Sequence, residues 1–570
     1  MAMLGWRKNR ETVGCAFSKT HKTCSDPPGA QYHFFFATGP NFEWVAKPRN
    51  DPLDPVGETG LATTHQCSHL YAMHRLRFIA ISIMLVSARA ADTPPPNIIV
   101  ILADDLGYGD VGCYNAESKI PTPHLDRLAQ EGTRFTDAHS PSAVCTPTRY
   151  GLLTGRYPWR SRLKSGVLGP WDAALIEKDR LTLPAMLQAK GYATSAIGKW
   201  HLGMQWPTKD GKPPSSRLDP HSNVDYSRAI TEGPTTRGFD SYFGTNVPNY
   251  PPFCFIENDR TLGNPTDLSN TEDFNIRGPA LPGWRAADIL PELTRRAVRT
   301  VETAAEKKRP FFLYFALTSP HYPVSPAPEF RGKSGAGDYG DFVVQTDWVV
   351  GQITAALART GAAANTLVIF TSDNGPEIDG EVVIGAFERI RKFNHASMGK
   401  LRGVKRDAWE GGHRVPFIAR WPGHTPAEKV SDQFLILTDL MATCAAITGS
   451  PLPANAAEDS VNLLPALTGG KVEREAGVTV GISGKAALRQ GDWVLIAAPT
   501  GRENPAPRGE PDWFREQRGY QPHDSQYELF NLRDDPAQQT NRVAAEPARV
   551  TAMLALLKKY QSEGRSVPAR

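Results

Sequence analysis

What this chain of 570 residues lacks narrows its class first. It has seven cysteines. Cys15, Cys24 and Cys67 fall in an N-terminal stretch without hydrophobic periodicity. Cys113, Cys145, Cys254 and Cys444 are too widely spaced for a disulfide framework, which a core of this size does not need. No C-x-x-C pair offers a zinc site. The net charge is +4, too near balance for bulk attraction to nucleic acid or an anionic membrane. The apolar run Phe78–Val86 is too short to span a bilayer, so no stable membrane anchor is expected. No solenoid-type repeat is evident. A hydrophobic content of 40% and a charged content of 22% are those of a soluble globular protein.

That apolar run has a context. Arg75 and Arg77 precede it and Ala88-Arg89-Ala90 follows, the three-part pattern of a secretory signal peptide. Residues 73–91 are therefore expected to direct export, periplasmic or secreted, and residues 1–72 to be a mis-assigned or disordered extension. The mature chain would begin near Ala91 and lead in through the stiff Thr93-Pro94-Pro95-Pro96.

From Asn97 onward, strand and helix patterns alternate. Asn97–Ala103 is a continuous apolar, β-branched run, as in a strand buried on both faces. Thr122-Pro123 reads as an N-cap and first helical position, with Gly132 closing that helix. Leu183–Lys190 is helical, Tyr192–Ile197 a strand, Glu292–Glu306 helical, Phe311–Thr318 a strand, Phe342–Arg359 helical and Thr366–Thr371 a strand. This predicts an α/β fold, a large and mostly parallel sheet with helices on both faces. After about residue 470 the strands shorten to Val478–Ser483, Trp493–Ala498 and Tyr527–Asn531, before a last helix over Glu546–Glu563. The expected division is a catalytic domain over 92–470 and a smaller C-terminal α+β unit with an antiparallel sheet over 471–570.

Ligands of open α/β sheets gather at the carboxyl ends of the strands. Asp104 and Asp105 end the first strand, and Asp373 and Asn374 follow Thr366–Thr371. Three carboxylates and an amide oxygen make a hard-cation set, suited to calcium or magnesium rather than zinc. Lys199 and His201 follow one strand, His321 another, and Lys405 lies in a glycine-rich loop. Cations beside a metal suit a tetrahedral oxyanion, a phosphate or sulfate ester. Arg149 lies one helical turn after Cys145, so both could face one site at a helix N-terminus. Such a position favours an anion and depresses a thiol pKa. On these grounds alone Cys145 could be a buried thiol, a nucleophile or something else.

The stretch C-T-P-T-R at 145–149, followed by YGLLTG, resembles the first signature of the type I sulfatases, within the alkaline phosphatase superfamily. Gly191–Gly203 (GYATSAIGKWHLG) looks like their second. DDLG, SPH, SDNG and K-x-x-x-x-E-G-G occur in the family's order, and YELFNLRDDPAQQTN resembles its C-terminal segment. The resemblance implies a sulfuric ester hydrolase of arylsulfatase type. Cys145 would be oxidised to Cα-formylglycine by a formylglycine-generating enzyme that reads C-x-P-x-R. One oxygen of the hydrated aldehyde would attack sulfur in line, and the second hydroxyl would then expel sulfate. Asp104, Asp105, Asp373 and Asn374 would hold one Ca²⁺ that residue 145 also meets. Arg149 would steady the formylglycine, Lys199 and Lys405 would clamp sulfate, and His321 and His201 would serve the leaving alcohol and the diol, in roles that could exchange.

The expected substrate is a sulfated small molecule or glycan, read by loops such as Lys164–Trp171 and Asn246–Asp259. Two rivals remain: a formylglycine-dependent phosphonate or phosphodiester hydrolase, and an inactive exported protein that binds sulfated glycans.

Overall fold

The computed structural model describes residues 94–216, 219, 221–269, 276–378, 384–505 and 507–568. The expected signal peptide over 73–91 and the expected extension over 1–72 lie outside the described residues.

The backbone of the molecule is a ten-stranded sheet. In chain order its strands are β1 (Asn97–Asp104), β2 (Thr133–Phe135), β3 (Ala193–Lys199), β4 (Ser241–Thr245), β5 (Ile256–Glu257) and β6 (Arg260–Thr261). They continue with β7 (Phe311–Pro320), β8 (Thr366–Ser372), β9 (Phe417–Arg420) and β10 (Lys429–Ser431). The spatial order is β10-β2-β9-β8-β1-β7-β3-β4-β5-β6. The five central strands β8, β1, β7, β3 and β4 are all parallel. Antiparallel pairs enter on both flanks, at β8–β9, β9–β2, β4–β5 and β5–β6.

Alternate residues of β1 enter two separate cores. Ile98, Val100 and Leu102 join one that includes Tyr150, Leu152, Leu183, Met186 and Leu440. Ile99, Ile101 and Ala103 join the other, with Leu125, Leu293, Ala297, Val343 and Val350. Thus α2 (Cys145–Thr154), α3 (Leu183–Ala189) and α6 (Leu440–Thr448) cover one face. The opposite face is covered by α1 (Pro123–Gln130), α4 (Ile289–Glu306) and α5 (Gly337–Arg359). Such two-sided burial is why the central strands read as unbroken apolar runs.

Thr122 is the N-cap of α1 and Pro123 opens the helix, as expected, but the Thr122 side chain does not cap it. Its hydroxyl accepts the Gly112 N–H and donates to Asp126 instead, while Asp347 of α5 accepts the N–H groups of His124 and Leu125. One reading needs correction: Gly132 does not close the helix, because Glu131 ends it in right-handed geometry. Gly132 is required by proximity, since a Cβ there would lie 2.2 Å from the Ala419 carbonyl oxygen.

A four-stranded antiparallel sheet follows, β11 (Gly477–Val480), β12 (Ala486–Gln490), β13 (Trp493–Ile496) and β14 (Glu528–Asn531). It packs on α7 (Pro547–Ser562) through Val478, Leu488, Leu495, Met553 and Leu557. Strand β12 and a helix over Asp512–Arg518 lie between the elements expected from the sequence. This sheet buttresses the segment leading into α2: Ala143 donates to the Val480 carbonyl at 2.8 Å, and Val480 to that of Pro141 at 3.2 Å. Among the described residues, no helix is long and apolar enough to cross a membrane.

At the end of β3, Gly198 has φ +106, and a Cβ there would sit 1.7 Å from the Ala316 carbonyl oxygen of β7. Replacing it meets both a disfavoured backbone and a backbone clash. Gly198→Ala is expected to lower stability by roughly 2–4 kcal/mol, read as a lower urea midpoint.

Candidate active site

The site forms where β1, β8, β3 and β7 end. Residues next to one another in a strand point to opposite faces. Asp104 and Asp105 nevertheless converge, because Asp105 turns into the left-handed region at φ +66. Behind this turn Asp110 accepts the Gly107 N–H at 2.8 Å and the Tyr339 hydroxyl at 2.6 Å, and pairs with His395 Nε2 at 2.8 Å. On the neighbouring strand end, Asp373 accepts the Asp105 N–H at 3.2 Å, and the Asn374 amide donates to Asp105 at 2.7 Å.

Each acid meets its own base. Lys199 donates to Asp104 at 2.7 Å, and Lys405 to Asp105 at 2.7 Å. Arg149 gives Nε and Nη2 to one oxygen of Asp373 at 3.1 and 2.8 Å, and Nη1 to the Lys199 carbonyl at 2.8 Å. Arg149, Asp104, Asp373 and Asn374 are 0% exposed. Burial opposes the charge on Asp104, yet Lys199, His321, Arg149 and Lys405 together hold its carboxyl well below the usual range. Burial likewise opposes the charge on Lys405, and Asp105, Cys145 and Glu377 together more than offset it, pushing the ammonium upward.

Cys145 is the first residue of α2, and Val144 before it is extended. Its Sγ lies 3.5 Å from Lys199 Nζ and 3.7 Å from Asp104. The expected depression of its thiol is reversed: burial pushes it up to about 12, despite Lys199 and Lys405. A helix N-terminus lowers a thiol pKa only where the charged form keeps some solvation, and here desolvation wins.

The histidines are held differently. His201 sits at φ +53 and its Nε2 bonds the Leu168 carbonyl at 2.9 Å, so that nitrogen carries the proton. Its Nδ1 is buried without a partner. Burial and Lys199 hold this ring well below its ordinary pKa. His321 follows β7 and gives Nδ1 to the Tyr322 carbonyl at 2.5 Å, with Nε2 3.7 Å from Asp105. Burial, then Lys199, lowers it to about 4.

All ten residues singled out from the sequence thus fall in one cluster or on its wall. Cys145, His201, His321 and Lys405 line a cavity of about 1010 Å³ including its open mouth. Of the two specificity loops, the first contributes Val167 and the second Val247, Asn249 and Tyr250, whereas Phe253 and Cys254 are packed away. Sequence reasoning missed Glu377 and Arg406, which line the same cavity. It also missed Asp110, Tyr339 and His395 beneath the Asp105 turn. Glu377 lies three residues past Asn374, the only signal it carried.

A hard cation suits this donor set. Asn374 Oδ1 is a buried acceptor with no partner, and Asp104 and Asp105 bring two further buried carboxylates beside it. Asp104, Asp105, Cys145 and His321 present donor atoms within 4.8 Å of one another. An imidazole nitrogen is the poorest match to such an ion, so Asp373 and Asn374 complete the oxygen set better.

Comparison with known proteins agrees with this chemistry. Residues 96–450 match the family described as Sulfatase. The chain is 34% identical over 506 residues to an N-acetylgalactosamine-6-O-sulfatase of Bacteroides thetaiotaomicron, covering 82% of this chain and 93% of that protein. It is 37% identical over 396 residues to human arylsulfatase A, covering 69% and 72%. A solved sulfatase structure from the glycosaminoglycan metabolism of B. thetaiotaomicron superposes with a TM-score of 0.70 at 33% identity, over 83% of this chain and 100% of that one. Fold, site and kinship converge, and the chain belongs to the type I sulfatase family and is a sulfuric ester hydrolase.

Proposed function

We propose that this enzyme is exported and hydrolyses sulfate monoesters of carbohydrates, using a formylglycine made from Cys145 and one bound Ca²⁺. The observation that carries the reading is the meeting of four oxygen-bearing side chains and three cations around one buried cysteine. Likeness to a sulfatase acting on N-acetylgalactosamine 6-sulfate, over most of both chains, supports a sulfated sugar as substrate.

Asp104, Asp105, Asp373 and Asn374 would hold Ca²⁺, which supplies Lewis-acid polarisation of the sulfate oxygens. Hydrated formylglycine at position 145 supplies a geminal diol, a nucleophile that can also release sulfate, as a serine cannot. Lys199 and Lys405 already point ammonium groups at the acids beside residue 145, where they would donate to sulfate oxygens. Arg149, locked on Asp373, fixes the base of the site and offsets its negative charge. His201 presents an unprotonated Nδ1, fit to accept a proton from the diol. His321 keeps Nδ1–H on Tyr322 and leaves Nε2 open. An anionic ester nearby would favour its protonated form, and the imidazolium would then protonate the leaving alkoxide.

The recognition motif also sets the timing of maturation. Cys145, Pro147 and Arg149 are all buried in the folded chain. A formylglycine-generating enzyme must therefore read them before the fold closes.

Five outcomes test this reading. Mass analysis of the peptide bearing residue 145 should show a loss of about 18 Da relative to cysteine. Cys145→Ser should lower kcat/KM on any sulfate ester by at least about 10³-fold with an unchanged urea midpoint; retained turnover would refute the diol. Chelation should remove activity that Ca²⁺ restores and Zn²⁺ does not. His321→Ala should cost about 10²–10³-fold on a sugar sulfate and far less on 4-nitrophenyl sulfate, whose leaving group needs no acid. Sulfate, phosphate and phosphodiester forms of one alcohol, assayed together, separate a sulfatase from a phosphoester hydrolase.

A further inference from the structure

One ion pair in the cavity has no part in the chemistry described so far. Arg406 gives Nη1 and Nη2 to the two oxygens of Glu377 at 2.5 and 2.9 Å. Both side chains line the cavity that holds Cys145 and His321, and they keep 30% and 22% exposure. Glu377 also lies 3.2 Å from Lys405, so the pair adjoins the sulfate clamp.

The backbone singles out Arg406 as well. Its φ is +81, a region costly for a residue with a Cβ. The conformation is fixed on both sides, by the Arg406 N–H on the Ala143 carbonyl at 2.8 Å and the Ile482 N–H on the Arg406 carbonyl at 3.0 Å. Glycine would sit there without strain, yet an arginine occupies it and sends its guanidinium to the cavity wall. Strain of this kind persists where surrounding structure holds it, and it clusters at functional sites. The same cavity is lined by Asn249, whose Oδ1 is buried without a hydrogen-bond partner, so polar capacity remains to be met by a ligand.

We infer that Glu377 and Arg406 read the sugar side of the substrate by binding ring hydroxyls that lie near the sulfate ester. The chemistry of the pair decides this. Arg406 already has its charge met by a bidentate carboxylate, so a second anion gains little there and would be repelled by Glu377. A hydroxyl both donates and accepts. It can give its proton to Glu377 while its oxygen accepts a remaining guanidinium N–H. Neighbouring hydroxyls on a sugar ring present that dual character, and an aryl alcohol presents none of it. The pair is thus a specificity determinant and takes no part in proton transfer. The inference rests on the carbohydrate reading proposed above and adds which residues enforce it.

The test uses the mature enzyme with N-acetylgalactosamine 6-sulfate, its deoxy analogues lacking the C4 or the C3 hydroxyl, and a disaccharide in which a uronic acid adjoins the sulfated sugar. For the wild type, loss of a hydroxyl that the pair reads should lower kcat/KM at least tenfold, about 1.4 kcal/mol. In Arg406→Met and Glu377→Gln that penalty should shrink to within threefold, whatever the overall activity. A merely structural role would lower all substrates together and leave the penalty intact. Arg406→Lys, which keeps the charge but not the fork, should retain part of it. The inference is overturned if both variants keep the full deoxy penalty, if the wild type shows none, or if Arg406→Met loses chiefly the uronic acid substrate. If the wild type instead prefers a phosphoester of the same sugar, the sulfatase reading fails separately, and the same deoxy comparison on that ester still decides the pair.

Discussion

The structure depends on three buried ion pairs placed side by side: Asp104 with Lys199, Asp105 with Lys405, and Asp373 with Arg149. All six groups are buried, and removing one partner of such a pair costs about 3–5 kcal/mol. The arrangement holds only if the strand ends meet in one register. Ala103 of β1 pairs with Ser372 of β8, which sets Asp104 and Asp105 beside Asp373 and Asn374. Ala316 of β7 pairs with Gly198 of β3, which sets Lys199 at the same edge. A slip of one residue in either ladder would send these side chains to opposite faces. The apolar cores on both sides of β1 therefore do more than stabilise the sheet, because they fix the register on which the charges rely.

Strain gathers in the same place. Asp105, His201 and Arg406 are among the nine non-glycine residues of the described chain with positive φ, and all three surround Cys145. Each follows closely on an element or loop that delivers a charged group: β1 for Asp104, β3 for Lys199, the loop of Lys405. The reversal of chain direction brings consecutive polar residues to one point where a regular strand would separate them. Hydrogen bonds hold the turns open, through Asp110 and Tyr339 beneath Asp105 and through Ala143 and Ile482 around Arg406.

Much of this was legible in the sequence, for a physical reason. Strands buried on both faces leave unbroken apolar runs, so β1, β3, β7 and β8 announce themselves, and the polar residues that end them stand out. Strands β2 and β10 are three residues long and owe their existence to partners far along the chain, while β5 and β6 are two-residue strands of one short hairpin at the sheet edge. Thr133–Phe135, for example, pairs with residues near 417 and 429. Glu377 and Arg406 stayed hidden because charged residues in loops ordinarily face water. Thr122 is the N-cap that the sequence suggests, but the use of its hydroxyl, on Gly112 and Asp126 rather than on a free helix N–H, depends on the fold.

The thiol of Cys145 teaches the same lesson about burial. Its seat at a helix N-terminus between two lysines looks, in sequence terms, like that of an activated nucleophile. Burial reverses the expectation and pushes the thiol up to about 12, so as cysteine it would be almost wholly protonated at neutral pH and a weak nucleophile. The cations that fail to ionise it are already engaged with Asp104 and Asp105. They are poised for an anion larger than a thiolate, one able to bridge both lysines at once. A site that suppresses thiolate yet gathers ammonium groups and oxygen ligands around the same atom is ill suited to cysteine chemistry. It is better suited to the converted residue proposed above, and the burial of the whole motif would place that conversion before folding.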